Sequence, residues 1–204
     1  MLGSQIVANV KVKLNRIDTN SYEDIRREEV IFFVNQALKA LTLEFDLGIY
    51  SRILNEQAIK VYLASLHKVQ GEAALGANEA VLSTNVLKFK DVQVYVTVDG
   101  EAGWQVAVEA DNNNTSARQD NPFRKSYPDK PKYRLIADKI KFDTDGTFTC
   151  TKYKYEYLKN PDDITLATDV SYIFIEELED KTVTLILENL EAQRLQTQPS
   201  VSRS

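Results

Sequence analysis

Cysteine, histidine, tryptophan and methionine each occur once in the 204 residues. A lone cysteine, Cys150, excludes an intramolecular disulfide, and its setting reads as a buried, inert thiol on a strand. A lone histidine, His67, excludes a histidine-rich metal site and leaves a Ser-His-Asp arrangement without its usual partners. It falls on the second helix of the reading below, beside Leu63 and Leu66, as a surface or packing residue. Excess basic charge is also missing. With 25 Lys and Arg against 30 Asp and Glu, the formal net charge is -5, which disfavours wrapping by nucleic acid. No apolar run approaches the ~20 residues of a membrane helix. The first residues lack the basic region, apolar core and cleavage site of a signal peptide. The expectation is a protein of a reducing, soluble compartment, or of a particle assembled there.

Motifs that would carry chemistry are missing too. The stretch from Gly71 to Gly76 is followed by Ala77 rather than by the Lys-Ser/Thr of a phosphate loop. Asp143-Thr144-Asp145-Gly146 begins like a calcium loop, but the twelfth position is Lys154, so a turn is the better reading. Asp162-Asp163 after Pro161 reads as a turn or helix cap. Glu28-Glu29, Glu176-Glu177 and Glu179-Asp180 read as solvated helix faces. No catalytic residue, cofactor or metal ligand is expected, and the chain is not expected to be an enzyme.

What is present is ordinary globular material, 43% hydrophobic and 27% charged, of a length for one large domain or two small ones. Residues 6–14 alternate Ile6, Ala8, Val10, Val12, Leu14 against Val7, Asn9, Lys11 and Lys13. That is a strand pattern, either within the chain's own sheet or as an arm pairing with another subunit. Asn20 and Ser21, with Glu23 and Asp24, start a long helix that runs unbroken to Gly48, with Ile25, Phe32, Ala37, Leu38, Leu41 and Phe45 along its stripe. Asn55-Glu56 caps a second helix carrying Ile59, Leu63 and Leu66, which ends before Gly71. Residues 73–84 read as an extended linker or a further short helix. From 86 to 98 the period becomes two, Asp99-Gly100 makes a hairpin turn, and Trp104, Val106 and Val108 share a face of the return strand. Residues 111–132 form a long loop, and loops of about 20 residues are commonly functional or mobile.

Residues 131–163 then read as consecutive antiparallel strands. Residues 133–136 turn at Ala137-Asp138 into Ile140 and Phe142. The turn at 143–146 leads to a return strand in which Tyr153, Tyr155 and Tyr157 oppose Lys152, Lys154 and Glu156. The tyrosine face is either core or, with Trp104, a ligand platform. A C-terminal helix over 176–195 and a flexible tail complete the chain.

The order of these parts carries a resemblance. A long helix within ANVKVKLNRIDTNSYEDIRREEVIFFVNQALKAL, a second helix, and the passage into a strand at VLSTNVLKFKDVQVYV come first. NPFRKSYPDKPKYRLIADKIKF follows, with Asn-Pro, Pro-x-Tyr-Arg and Ile-x-Phe. TCTKYKYEYLKNPDDI, with Tyr-x-x-x-Pro, and a long final helix end the series. From about 18 to 195 this resembles the head-to-tail connector proteins of tailed phages, specifically the adaptor or ring proteins of short-tailed phages, the crAss-like group included. The middle segment, 99–131, is longer than in simpler adaptors. The resemblance implies a non-enzymatic homo-oligomeric ring of 12 copies beneath the portal. Such a ring bridges capsid and tail, meets the portal protein and the next tail or ring protein, and lets DNA pass without specific binding. It implies a virion protein of the neck, assembled in the host cytoplasm, with no membrane partner.

The expected fold is α+β. An arm and helix pair over 1–75 and a C-terminal helix with its tail over 166–204 form a helical bundle. An antiparallel β-domain over 76–165 is inserted between them. Arg118, Arg124, Lys125, Lys130, Lys132 and Arg134, interleaved with Phe123, Tyr127 and Tyr133, are a basic and aromatic cluster. It serves either as a contact for phosphate or an acidic partner, or as a solvated loop. The partner-contact candidates are Arg118, Phe123, Arg124, Tyr127, Gln193 and Arg194. A β-rich module binding a glycan or protein, without catalytic activity, is the alternative function.

Overall fold

The computed structural model describes residues 1–17, 25–49, 55–82, 85–110 and 125–197, with the side chains of the last helix described through 192. The fold is α+β. It divides into two compact units, Met1–Ala64 with Pro161–Ser204, and Ser65–Asn160.

The first unit is helical. Helices α1 (Gly3–Ile17), α2 (Arg27–Asp46) and α3 (Glu56–Leu66) come from the N-terminal part, and α4 (Ile175–Thr197) from the C-terminal part. The strand expected over 6–14 is instead α1. Its residues satisfy both periods, but Gly3, Ile6, Val7, Val10 and Leu14 fall on one helical face and are the buried ones. Ala8 and Val12, needed inside by a strand, are exposed. Gly3 is required by packing, since a Cβ there would lie 2.0 Å from the Thr165 carbonyl oxygen.

Helix α2 starts later than expected. Asn20, Ser21, Glu23 and Asp24 lie outside the described residues, and the helix opens with the Arg26 backbone N–H donating to Glu29 at 3.2 Å. Phe32, expected on the buried stripe, points the other way and is 57% exposed. Asn55 caps α3 as expected, its side-chain oxygen accepting from the Gln57 and Ala58 N–H groups at 3.0 and 3.3 Å.

Helix α4 packs on α1 and α2. Leu14, Leu38, Ile59, Phe174, Leu178 and Ile186 close one core, each such side chain contributing roughly 1.5–3 kcal/mol. Within it Phe174 stacks on Tyr172 at 4.9 Å and meets Phe45 and Tyr62 edge-on at 5.0 Å. Polar groups bind the two halves of the unit. The Asn35 side chain donates to the Ile164 carbonyl and accepts from its N–H, at 3.0 and 2.7 Å. Glu179, 5% exposed, accepts from Asn9 at 2.8 Å and pairs with Lys13 at 3.0 Å.

The second unit is a sandwich of two four-stranded sheets. In strand order, one is β1-β8-β3-β4, with β1 (His67–Ala74), β3 (Val86–Val98), β4 (Glu101–Val106) and β8 (Thr149–Lys159), antiparallel throughout. The other is β2-β7-β6-β5, with β2 (Glu79–Val81), β5 (Val108–Glu109), β6 (Lys132–Ile136) and β7 (Lys139–Asp143). Its β5–β6 pair is parallel, a departure from the all-antiparallel expectation.

Two stretches differ from their sequence reading. The second helix does not run to Gly71: His67–Ala74 is strand β1, and it pairs with β8. Of residues 73–84, the described ones, 73–82, are neither linker nor helix. They finish β1, turn through Ala77 and Asn78 at positive φ, and form β2.

Asp99 and Gly100, both at positive φ, make the expected two-residue hairpin between β3 and β4. The expected β6–β7 hairpin also forms, Ile136 pairing with Lys139. Strand β7 does not pair with β8, however. The turn at 143–146, with Gly146 at φ 86°, carries the chain from one sheet to the other. The turn residues specify a reversal, while the partners of β8 are chosen by β3 and β1, on which Tyr153 and Tyr155 face inward with Val92 and Val94.

Candidate interaction surfaces

The sandwich leaves two outer faces, and strand alternation decides what each carries. On the β2-β7-β6-β5 sheet the outward residues include Lys132 and Arg134, which belong to the expected basic cluster, and beside them Lys139 and Lys141, which do not. Carboxylates answer much of this charge. Arg134 holds Asp143 with both Nε and a terminal nitrogen, at 2.6–3.1 Å. Lys139 and Lys141 converge on Glu79 at 3.2 and 3.3 Å, and their hydrogen bonds hold its carboxyl below the usual range. A face balanced in this way is poorly suited to phosphate, which needs unanswered cations.

The far end of the long loop is anchored. Lys125 pairs with Asp145 at 2.7 Å, so the loop is tied to the turn between the sheets. Burial of the Asp145 carboxyl opposes its charge, but hydrogen bonds from Lys125 and Thr147 prevail and bring its pKa down to about 2. The Lys132 N–H donates to the buried Ser126 hydroxyl at 3.0 Å. Tyr127 and Lys130 bridge backbone to backbone around Pro128-Asp129. Tyr127 is 38% exposed, with the Lys125 ammonium 6.0 Å from its ring centre.

Of the contact candidates, Tyr127 is therefore presented at the surface on a fixed turn. Arg118, Phe123 and Arg124 lie outside the described residues. Gln193 and Arg194 fall in the last turns of α4, with their side chains outside the description.

The aromatic platform is not assembled. Tyr153 and Tyr155 are buried between the sheets, their rings nearly parallel at 6.1 Å, with Phe89 edge-on to Tyr155. Trp104 lies on the opposite, outer face, paired with Tyr95 across β3 and β4 at 5.4 Å. Lys154 sits 4.4 Å over the Trp104 ring and Lys152 is 5.7 Å from Tyr95. Cation occupation of the indole face leaves little for a stacking sugar. His67 opens β1 rather than lying on a helix, and its Nε2 is 3.3 Å from Glu156. Burial pushes the Cys150 thiol up to about 11, in keeping with an inert thiol.

Three features escaped the sequence reading. One is an apolar cleft of about 630 Å³ in the sandwich, lined by Leu82, Val86, Leu87, Phe89 and Leu135, with Lys88, Glu109 and Asp138. Another is the outer side of α2, where Phe32 and Leu47 are exposed opposite the buried stripe. The last is the pair of outer strands of the β1-β8-β3-β4 sheet, whose exposed Val69 and Val106 are apolar residues at its two margins. Residues 67–70, His-Lys-Val-Gln, hold one apolar residue and no alternation, so β1 had no signal of its own behind the helical stripe ahead of it.

Among the described residues no group of three or more His, Cys, Asp or Glu is placed to hold a metal ion. No helix among them is long and apolar enough to cross a membrane. No protein-family model matches the chain, and no curated protein matches it.

Proposed function

We propose that this chain is a structural protein of a phage neck. In this reading it is a head-to-tail connector ring subunit that joins portal to tail and surrounds the DNA channel. The observation that supports the reading is the order of parts. A helical unit built from both ends of the chain carries a β-sandwich inserted at 65–160, which is the arrangement the resemblance implies. The expected number of copies is 12, with the portal and the next tail or ring protein as partners. The acidic balance of the chain, net -5, suits a channel wall that DNA must slide past. The test is the mass of the purified protein, alone and with a portal ring, by light scattering and negative-stain imaging. Rings that form alone or on the portal support the reading. A monomer that ignores the portal overturns it.

A second reading is favoured by the cleft lined by Leu82, Phe89 and Leu135. The sandwich would bind a protein ligand through an apolar anchor residue. The apolar lining argues against a glycan in that place. Loss of ligand capture in Leu135→Lys, with assembly intact, would separate this reading from the first.

A further inference from the structure

Edge strands expose unpaired backbone groups, and proteins commonly blunt them by keeping them short. The β2-β7-β6-β5 sheet obeys, since its edges β2 and β5 have 3 and 2 residues. The other sheet does not. Its edges β1 and β4 have 8 and 6 residues, and among the described residues no strand pairs on the outer side of either. A bulge between Gln70 and Ala73 leaves 67–70 as the straight, pairable part of β1.

Both edges also carry a misplaced apolar side chain on the same face. Val69 pairs with Glu156 on the outer face and is 65% exposed. Val106 pairs with Gln93 on that same face and is 57% exposed. Trp104, two residues before Val106, adds an aromatic at that margin. Each valine has a strand neighbour on one side only.

We infer that β4 of one copy of this chain pairs with β1 of the next, continuing the sheet from subunit to subunit. The inference deepens the ring reading, on which it rests, by naming the joint. Strand order fixes the direction. Within the sheet β1 runs with β3 and against β4, so a neighbour in the same orientation offers its β1 antiparallel to β4. The joint consumes both open edges and brings Val69 beside Val106 and Trp104. Because the two surfaces differ, the contact is heterologous. Such contacts propagate and close when the rotation permits, whereas self-pairing of either edge would stop at a dimer.

The test is crosslinking of the full chain with a short bismaleimide, using Val69→Cys, Val106→Cys and the double variant. The native Cys150 is buried, and the unsubstituted chain sets the background. The expected result is a ladder of covalent oligomers from the double variant, its top rung giving the copy number, and only background from each single variant. Dimers from either single variant would mean self-pairing and overturn the inference. A double variant that assembles by light scattering yet gives no ladder overturns the joint and leaves the ring reading standing. Monomers throughout, alone and with a portal ring, overturn both. As a second readout, Val69→Lys lowers the assembled mass and adding Val106→Glu restores it. Unchanged mass in Val69→Lys counts against the joint, and the circular dichroism spectrum verifies that each variant is folded.

Discussion

The helical unit is closed by residues far apart in sequence, the β unit by one unbroken stretch of chain. Asn9 reaches Glu179 across 170 positions and Asn35 clasps Ile164 across 129, whereas the β unit is one contiguous range, Ser65–Asn160. The two also differ in how they treat polar groups. The helical unit takes Glu179, Thr42 and Thr182 into its interior with hydrogen-bond partners. The sandwich keeps its charged residues mainly on its faces and pairs many of them there. Long-range closure is costly in chain entropy, and specific buried partners help to select one arrangement. The β unit gets its register from hairpins and cross-strand packing instead.

The single tryptophan, Trp104, lies in the β unit, so its fluorescence follows that unit while helical ellipticity follows the other. The largest expected effect comes from Phe174→Ala, which removes the ring at the centre of the helical aromatic cluster. It should cost about 3–5 kcal/mol by denaturant unfolding followed at the helical signal. The Trp104 transition should stay in place. A matching shift in both signals would show that the units unfold as one.

Thr42→Val comes next. It strips a partner from the Tyr62 hydroxyl, 2.9 Å from the Thr42 hydroxyl and part-buried. Burial already pushes the Tyr62 pKa up, Thr42 opposing it. A loss of ~1–3 kcal/mol is expected, again in the helical signal only.

Asp145 sharpens the comparison from the β side. Its folded pKa, about 2, lies below the ordinary value of 3.8, so its ionised form favours the folded state. That contribution is complete above the unfolded value and disappears as the pH falls from about 4 to about 2. Asp145→Asn should flatten this acid limb of stability measured at Trp104. A limb unchanged by the substitution would assign the acid sensitivity to other carboxylates.

The smallest effect belongs to Lys154→Ala, which uncovers the Trp104 ring. About 0.5–1 kcal/mol is expected, together with a red shift of the emission maximum.

The two units also differed in how legibly the sequence announced them. Asp99-Gly100 named its hairpin outright, because only a few residues tolerate positive φ at both positions. Asn55 named the start of α3, and the dense apolar pattern named α4. Helix α1 was misread because nine residues can satisfy periods of 2 and 3.6 together, and only packing against α4 decides between them. The turn at 143–146 was read correctly as a turn and wrongly as a hairpin. Turn chemistry is local, whereas pairing depends on a β3 strand some 50 residues earlier. The contact candidates fared unevenly for a related reason. Sequence can find a basic, aromatic loop, but it cannot find the Asp143 and Glu79 carboxylates that neutralise Arg134, Lys139 and Lys141 across strands. Edge positions such as Val69 and Val106 become visible only once strand order is known.

The pairing of His67 with Leu158 has a practical meaning. The chain enters and leaves the sandwich on adjacent strands, so the two points of departure are about 5 Å apart. A gap of that size is spanned by a tight turn. The sandwich is thus a cassette. It can be excised and its stumps rejoined by a few residues, or exchanged for another domain whose termini are neighbours, with the helical unit as the recipient scaffold.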